Sequence, residues 1–109
     1  MGKLKCGNIY SKIPGAKNKE AFQALWVKKK LKIERIVSKG QATEKGKWLK
    51  DPRDEWVMVL KGSGKLRFRK DGRLIRLKPG DHILIPANTS HRVEWTSLRK
   101  KTIWLAVYR

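Results

Sequence analysis

A chain of 109 residues is the size of one domain and buries roughly two-thirds of its unfolded surface, enough for a core without disulfide or metal staples. Its apolar content of 39% fits a folded soluble chain, and no apolar run approaches the ~18 residues of a membrane-spanning helix. Twenty-eight Lys and Arg against nine Asp and Glu leave a formal charge of +19, more than surface ion pairs can neutralise.

In chain order, Met1 to Tyr10 carries lysines but no apolar run, so it does not read as a secretory signal. Cys6 is the single cysteine, which excludes an internal disulfide and makes the cytoplasm the expected location. Asn18 to Trp26 reads as a short helix, with Asn18 as N-cap and Ala21, Phe22 and Leu25 at helical spacing. Residues 1–31 thus read as an N-terminal extension with one helix, and 32–109 as a β-barrel within one domain. Lys32 to Ser38 reads as a strand, and Lys39-Gly40-Gln41 as a turn. A polar loop over residues 42–54 carries Trp48 and is long for a compact domain. Glu55 to Leu60 is the most apolar short strand, and Gly62-Ser63-Gly64 is a turn.

Leu66 and Phe68 mark the inward face of the next strand. Asp71-Gly72 signals a type I′ hairpin into Arg73 to Leu77. Lys78-Pro79-Gly80-Asp81 is a turn, His82 to Ile85 a buried strand, and Pro86 ends it. Asn88 suits a left-handed turn position. From His91 the chain extends again, and alternation puts His91, Val93 and Trp95 on one face. Thr102 to Tyr108 closes the chain as a core strand. Short strands bounded by turns indicate an all-β sandwich or barrel.

These residues also carry a resemblance. From Ile33 onward the chain resembles a small single-domain cupin, which implies a double-stranded β-helix, or jelly roll. The second cupin motif is Gly, five residues, Pro, one residue, Gly, two residues, His; Gly80, Pro86 and His91 match it, with Asn88 replacing the second Gly. The first motif ends in Glu, six residues, Gly, matched by Glu55 and Gly62. Lys47 to Gly62 also looks like the subfamily whose loop carries Trp, then Asp and Glu-Trp. The usual His-x-His metal pair is missing. Its positions hold Leu49 and Asp51, or Trp48 and Lys50, depending on register.

The resemblance implies a barrel that binds a small polar or anionic molecule, with Trp48, Asp51, Glu55, His91 and Trp95 as ligand-binding residues. Carboxylates and imidazole orient the ligand, and indoles stack on it. Asp51, Glu55 and His91 are also the candidate ligands for a divalent metal, Zn, Mn or Fe. The family includes isomerases, dioxygenases and decarboxylases as well as sensors, so no catalytic residue is assigned. A metal-dependent enzyme of one of those types is the alternative.

A basic module binding nucleic acid or another polyanion is a further alternative. The cations sit at near-alternate positions, as in Lys65-Leu66-Arg67-Phe68-Arg69, with tight runs only at Lys28-Lys29-Lys30 and Arg99-Lys100-Lys101. That spread favours a solvated, aggregation-resistant surface over a binding patch. His82 reads as structural, Asp54 as a loop-ending cap, and Trp56 and Trp104 as core. Many small cupins pair through their sheets, so a homodimer is expected by resemblance.

Overall fold

The computed structural model describes residues 2–109. Eight strands build it: β1 (Ala21–Lys28), β2 (Leu31–Ser38), β3 (Glu55–Lys61), β4 (Gly64–Phe68), β5 (Leu74–Leu77), β6 (His82–Ile85), β7 (His91–Thr96) and β8 (Thr102–Tyr108). They form a five-stranded sheet, ordered β1-β2-β8-β3-β6, and a three-stranded sheet, ordered β5-β4-β7. All pairings are antiparallel. After β3 the chain changes sheet at nearly every connection, which wraps the two sheets into a jelly roll. No helix long and apolar enough to cross a membrane occurs among the described residues.

The helix expected over Asn18 to Trp26 is strand β1. It pairs with β2 from Ala21↔Val37 to Lys28↔Leu31, and a bulge falls between Ala24 and Trp26. Phe22 faces inward; the bulge then shifts the parity at Leu25, so the apolar residues lose the two-residue period. Aromatic and β-branched side chains here favour a strand once a partner edge exists. The five-stranded sheet therefore begins eleven residues before the expected barrel start at 32. Arg35, 6% exposed, ties the preceding segment to the outer face. Its guanidinium donates to the carbonyls of Ile9 (2.9 Å), Ser11 (2.8 Å) and Lys12 (3.2 Å), and to Gln23 Oε1. A buried cation without a carboxylate partner is tolerable because these acceptors replace its hydration.

The Asp71-Gly72 signal lies in a longer loop over residues 69–73, not in a two-residue turn. Gly72 alone of the pair has positive φ (70°), and the Gly72 N–H donates to the Phe68 carbonyl at 2.9 Å.

Val57, Val59, Leu66, Leu77, Ile85, Trp104 and Ala106 form the core between the sheets. Trp104 fixes its width. Its Nε1–H donates to Ser38 Oγ at 3.0 Å, and a Cβ on Gly64 would fall 2.6 Å from the indole Cζ2. The indole cannot yield without giving up that hydrogen bond. Gly64→Ala should therefore lower stability by about 1–3 kcal/mol, the usual cost of overpacking a core. Urea denaturation checks it; an unchanged midpoint would show the layer to be slack.

Candidate functional site

A cavity of about 270 Å³ lies between the sheets, with Trp104 among the side chains that line it. Its apolar wall includes Phe22, Ile36, Val57, Leu66, Ile85 and Val93; its polar groups come from Glu20, Lys50, Asp51, Glu55, His91 and Tyr108.

Local structure explains how these groups arrive. Residues 41–49 run along the free edge of β7: the Thr43 N–H donates to the Val93 carbonyl (2.8 Å), and Leu49 and His91 exchange two backbone bonds (2.6 and 3.0 Å). That pairing delivers Leu49, Lys50 and Asp51 to the cavity wall. The turn before β7 holds Asn88 at φ 63°, donates from Asn88 N to the Asp51 carbonyl (2.7 Å), and is capped where Ala87 N donates to Asp54 Oδ1 (2.9 Å). Asp54 is thus a turn cap, as its position implied.

Glu55 opens β3 and His91 opens β7, and the two meet across the barrel. His91 Nε2 lies 3.7 Å from Glu55 Oε1, with both side chains largely buried. Nδ1 of His91 is 2.9 Å from the Thr89 carbonyl. A carbonyl only accepts, so Nδ1 carries the proton and, in the neutral ring, Nε2 presents a lone pair toward Glu55. Burial pushes the Glu55 carboxyl above its ordinary range, offset in part by His91, with Asp51 and Glu34 adding to the rise. The pair is placed to share one proton. At 3.7 Å it is also loose enough for a ligand atom to engage both members.

Glu20 forms a second polar point on the wall. Ser38 Oγ donates to its carboxylate while accepting from Trp104, so Trp104, Ser38 and Glu20 form one directed chain. Burial raises the Glu20 pKa. Tyr108 lies beside Glu55 and Glu34, and burial with those carboxylates pushes its phenol far above its normal range, so it stays protonated. Lys32 Nζ and Arg53 Cζ lie 5.7 and 4.8 Å from the Tyr108 ring centroid, and Lys32 pairs with Glu34 at 3.0 Å. The sequence reading missed Glu20, Glu34 and Tyr108. For Glu34 the signal is its place opposite Ala24 and Ala106 on paired strands, which requires the register; Glu20 and Tyr108 have no comparable signal.

Asp51 reaches the wall but is committed elsewhere. Arg53 Nε and Nη2 hold its two oxygens at 3.0 and 3.1 Å, and the Arg53 backbone N–H adds a bond at 2.9 Å. Arg53 holds the Asp51 carboxyl below its ordinary range. The expected metal ligands Asp51, Glu55 and His91 all line the cavity, but Asp51 is already bound by a guanidinium. With Asp51 taken by a guanidinium and Glu55 facing His91 directly, the donors do not fit a resident divalent ion. Among the described residues no group of three or more His, Cys, Asp or Glu side chains is arranged to hold one.

Both indoles expected on the cavity wall lie outside it. Lys65 pairs with Trp95 and Leu66 with Val93, so Glu94 is a bulge residue. The bulge turns Trp95 to the outer face, where Lys65 Nζ sits 5.2 Å from its ring centroid. Trp48 points away from its neighbour Leu49, which lines the cavity, and Arg69 Cζ lies 5.7 Å from the Trp48 ring centroid. Trp56, expected in the core, is half-buried on the outer face of the large sheet, stacked on His82 with ring centroids 5.5 Å apart.

A cupin domain model matches residues 36–108. The chain belongs to the cupins. Its similarity to solved structures agrees. It is 44% identical to a protein of Ralstonia eutropha JMP134 named a "putative mannose-6-phosphate isomerase", with a TM-score of 0.92 over 96% of this chain and 97% of that one. A Thermus thermophilus protein matches at 19% identity and a TM-score of 0.80, covering 96% of each chain. An RmlC-like cupin of Desulfovibrio desulfuricans matches at 16% and 0.75, covering 97% of each; these last two likenesses concern the fold alone. None of the curated proteins compared matches the chain.

The cupin motif residues have physical reasons here. Gly62 has φ 82° and packs against Thr102, and Gly80 has φ 92°. A buried acid holds its proton more tightly in the folded chain than in the unfolded one. The stability due to Glu55 is thus complete below the ordinary carboxyl range and lost as pH rises through its raised pKa. Asp51 acts oppositely, its contribution fading as pH falls through its lowered pKa. Glu55→Gln should melt close to wild type below the ordinary carboxyl range and gain on it as pH rises through the raised pKa of Glu55, then keep that lead. Thermal melts as a function of pH check this; a constant offset would refute the assignment.

Proposed function

We propose that this cupin binds a small, neutral, hydrogen-bonding molecule of the sugar or polyol class in its barrel, and that Glu55 and His91 move a proton on it. The observation that carries this reading is the Glu55–His91 pair, facing the cavity at 3.7 Å with its tautomer fixed by Thr89. A cavity of about 270 Å³ is at the small end of ligand sites, so the occupant is of monosaccharide size. On the wall Asp51 is held by Arg53, and burial biases Glu20 and Glu55 toward their neutral form. The interior thus offers hydrogen bonds more than charge, which suits a neutral ligand. An anionic substituent such as a phosphate meets Lys50 at the mouth instead, and the +19 exterior draws it there. The name of the similar R. eutropha protein supports an isomerase-type proton transfer between neighbouring carbons of a sugar. The donor set argues against the metal-dependent alternative. An exposed, unpaired Cys6 fits a reducing cytoplasm.

The test is calorimetry with hexoses, polyols and hexose 6-phosphates, followed by deuterium uptake into the bound compound from D2O. Wild type should bind at least one class and exchange a carbon-bound proton. Glu55→Gln and His91→Gln should slow exchange by about 10²-fold or more. Binding without exchange would leave a sensor, not an isomerase; no binding across the panel would refute the reading.

The outer face of the large sheet supports the homodimer. Trp26, Ile33, Val107, Trp56 and Leu84 align as one cross-strand row over all five strands. Trp26 is 50% and Leu84 58% exposed. On a chain this cationic, a second copy of the same apolar row is a matching partner. Sedimentation should give a dimer for wild type and a monomer for Trp56→Lys/Leu84→Lys; a monomeric wild type would overturn the assignment.

A further inference from the structure

The outer face of the small sheet carries cations in an arrangement that costs stability. Lys65 on β4 lies directly opposite Arg76 on β5, and Arg67 lies directly opposite Arg92 on β7. Like charges in such positions repel. Glu94, held out by the β7 bulge, offsets the second pair only, at 3.5 Å from Arg67 and 3.0 Å from Arg92. Arg92 is further committed to the Thr43 carbonyl at 2.7 Å. No carboxylate lies within salt-bridge distance of Lys65, Arg76 or Arg69 among the described residues.

Of the indoles displaced from the cavity, Trp95 lies on this same face opposite Lys65, and Trp48 lies beside Arg69 where β4 ends. Lys65 sits over Trp95 and Arg69 over Trp48, at 5.2 and 5.7 Å from the ring centroids. Two cation–indole pairs therefore bracket β4, with Arg67 between them. Lys65 and Arg67 stand two residues apart on β4, and Arg69 follows at the start of the loop that ends it; a two-residue step is about 6.6–6.8 Å along an extended chain. That spacing is close to the separation of successive phosphates on a single strand, and each indole offers a plane on which a base can stack.

We propose that the outer face of β4, with Trp95 and Trp48 at its two ends, binds single-stranded nucleic acid. Phosphates lie along Lys65, Arg67 and Arg69, and a base stacks at one or both indoles. The field of the whole chain brings the strand in; the row and the indoles hold it. The site is on the opposite side of the small sheet from the barrel cavity and does not depend on what the cavity binds.

The test uses the full chain, fluorescein-labelled single-stranded RNA and DNA of mixed sequence, and a duplex of equal length. Wild type should bind the single strand with quenching of its own indole fluorescence, and more tightly than the duplex. Its affinity should fall steeply with salt. Lys65→Ala/Arg69→Ala should bind at least ten-fold more weakly and lower the salt slope by about 1.4, or about 0.7 for each phosphate no longer neutralised. Lys17→Ala/Lys19→Ala removes the same charge from exposed positions ahead of β1 and should change affinity less than two-fold. Trp95→Ala should cost roughly ten-fold on the single strand and leave duplex binding unchanged. Equal losses in the two double variants would overturn the site in favour of diffuse charge. Binding without quenching, or a preference for the duplex, would overturn it as well.

Discussion

Trp104 is too large for the layer it occupies, and the barrel is shaped by how that indole is accommodated. It fits because Gly64 presents no side chain on the opposite sheet and because Ser38 accepts its N–H. The same indole lines the cavity, and beside it the smaller side chains of Val57, Ile85 and Val93 leave the space open. Ser38 then directs its own hydroxyl proton to Glu20, so the group that anchors the core also orients a carboxyl on the cavity wall. Packing and site are coupled through one hydroxyl.

The cavity gathers acids that a protein this basic has few of. Glu20, Asp51 and Glu55 line the cavity, and Glu34 is buried beside Tyr108 at 3% exposure. Each is handled differently. Asp51 is neutralised by Arg53 and Glu34 by Lys32. Glu55 and Glu20 have no such cation, and burial raises their pKa instead. Asp51, held ionised by its guanidinium, and two acids biased toward the proton-bound form give the cavity hydrogen-bond acceptors as well as donors. That suits a hydroxylated ligand better than a charged one.

Much of this was legible in the sequence, and the failures share a cause. Strand positions, the family motifs and the meeting of Glu55 with His91 follow from turn residues and spacing, because Gly and Asn at left-handed positions leave few alternatives. The errors cluster at bulges. One extra residue in β1 broke the two-residue period and gave Ala21, Phe22 and Leu25 a helical spacing. One extra residue at Glu94 sent Trp95 to the opposite face from His91. A bulge has no sequence signature of its own when no glycine marks it, so parity counted along a strand is reliable only up to the first one. Trp56 was misplaced for a different reason. A large sheet with an apolar outer face alternates apolar with apolar, and the sequence does not say which side is the core. Arg35 was unreadable because its partners are backbone carbonyls more than twenty residues away.

Sending carboxylates inward has a consequence for the exterior. Of nine acids, four sit in or beside the cavity, so the outer surface is more cationic than the composition alone implies. The cations are also not evenly spread. The outer face of the large sheet carries Trp56, Met58, Leu84, Leu105 and Val107 beside the buried Arg35, whereas that of the small sheet carries Lys65, Arg67, Arg76 and Arg92. A need for solubility alone is met by charges placed diagonally, with acids between them, and does not call for lysine facing arginine across a strand pair. The barrel thus separates three chemistries by face. Hydrogen-bonding groups point inward, apolar surface lies outside one sheet, and positive charge with the Trp95 indole lies outside the other.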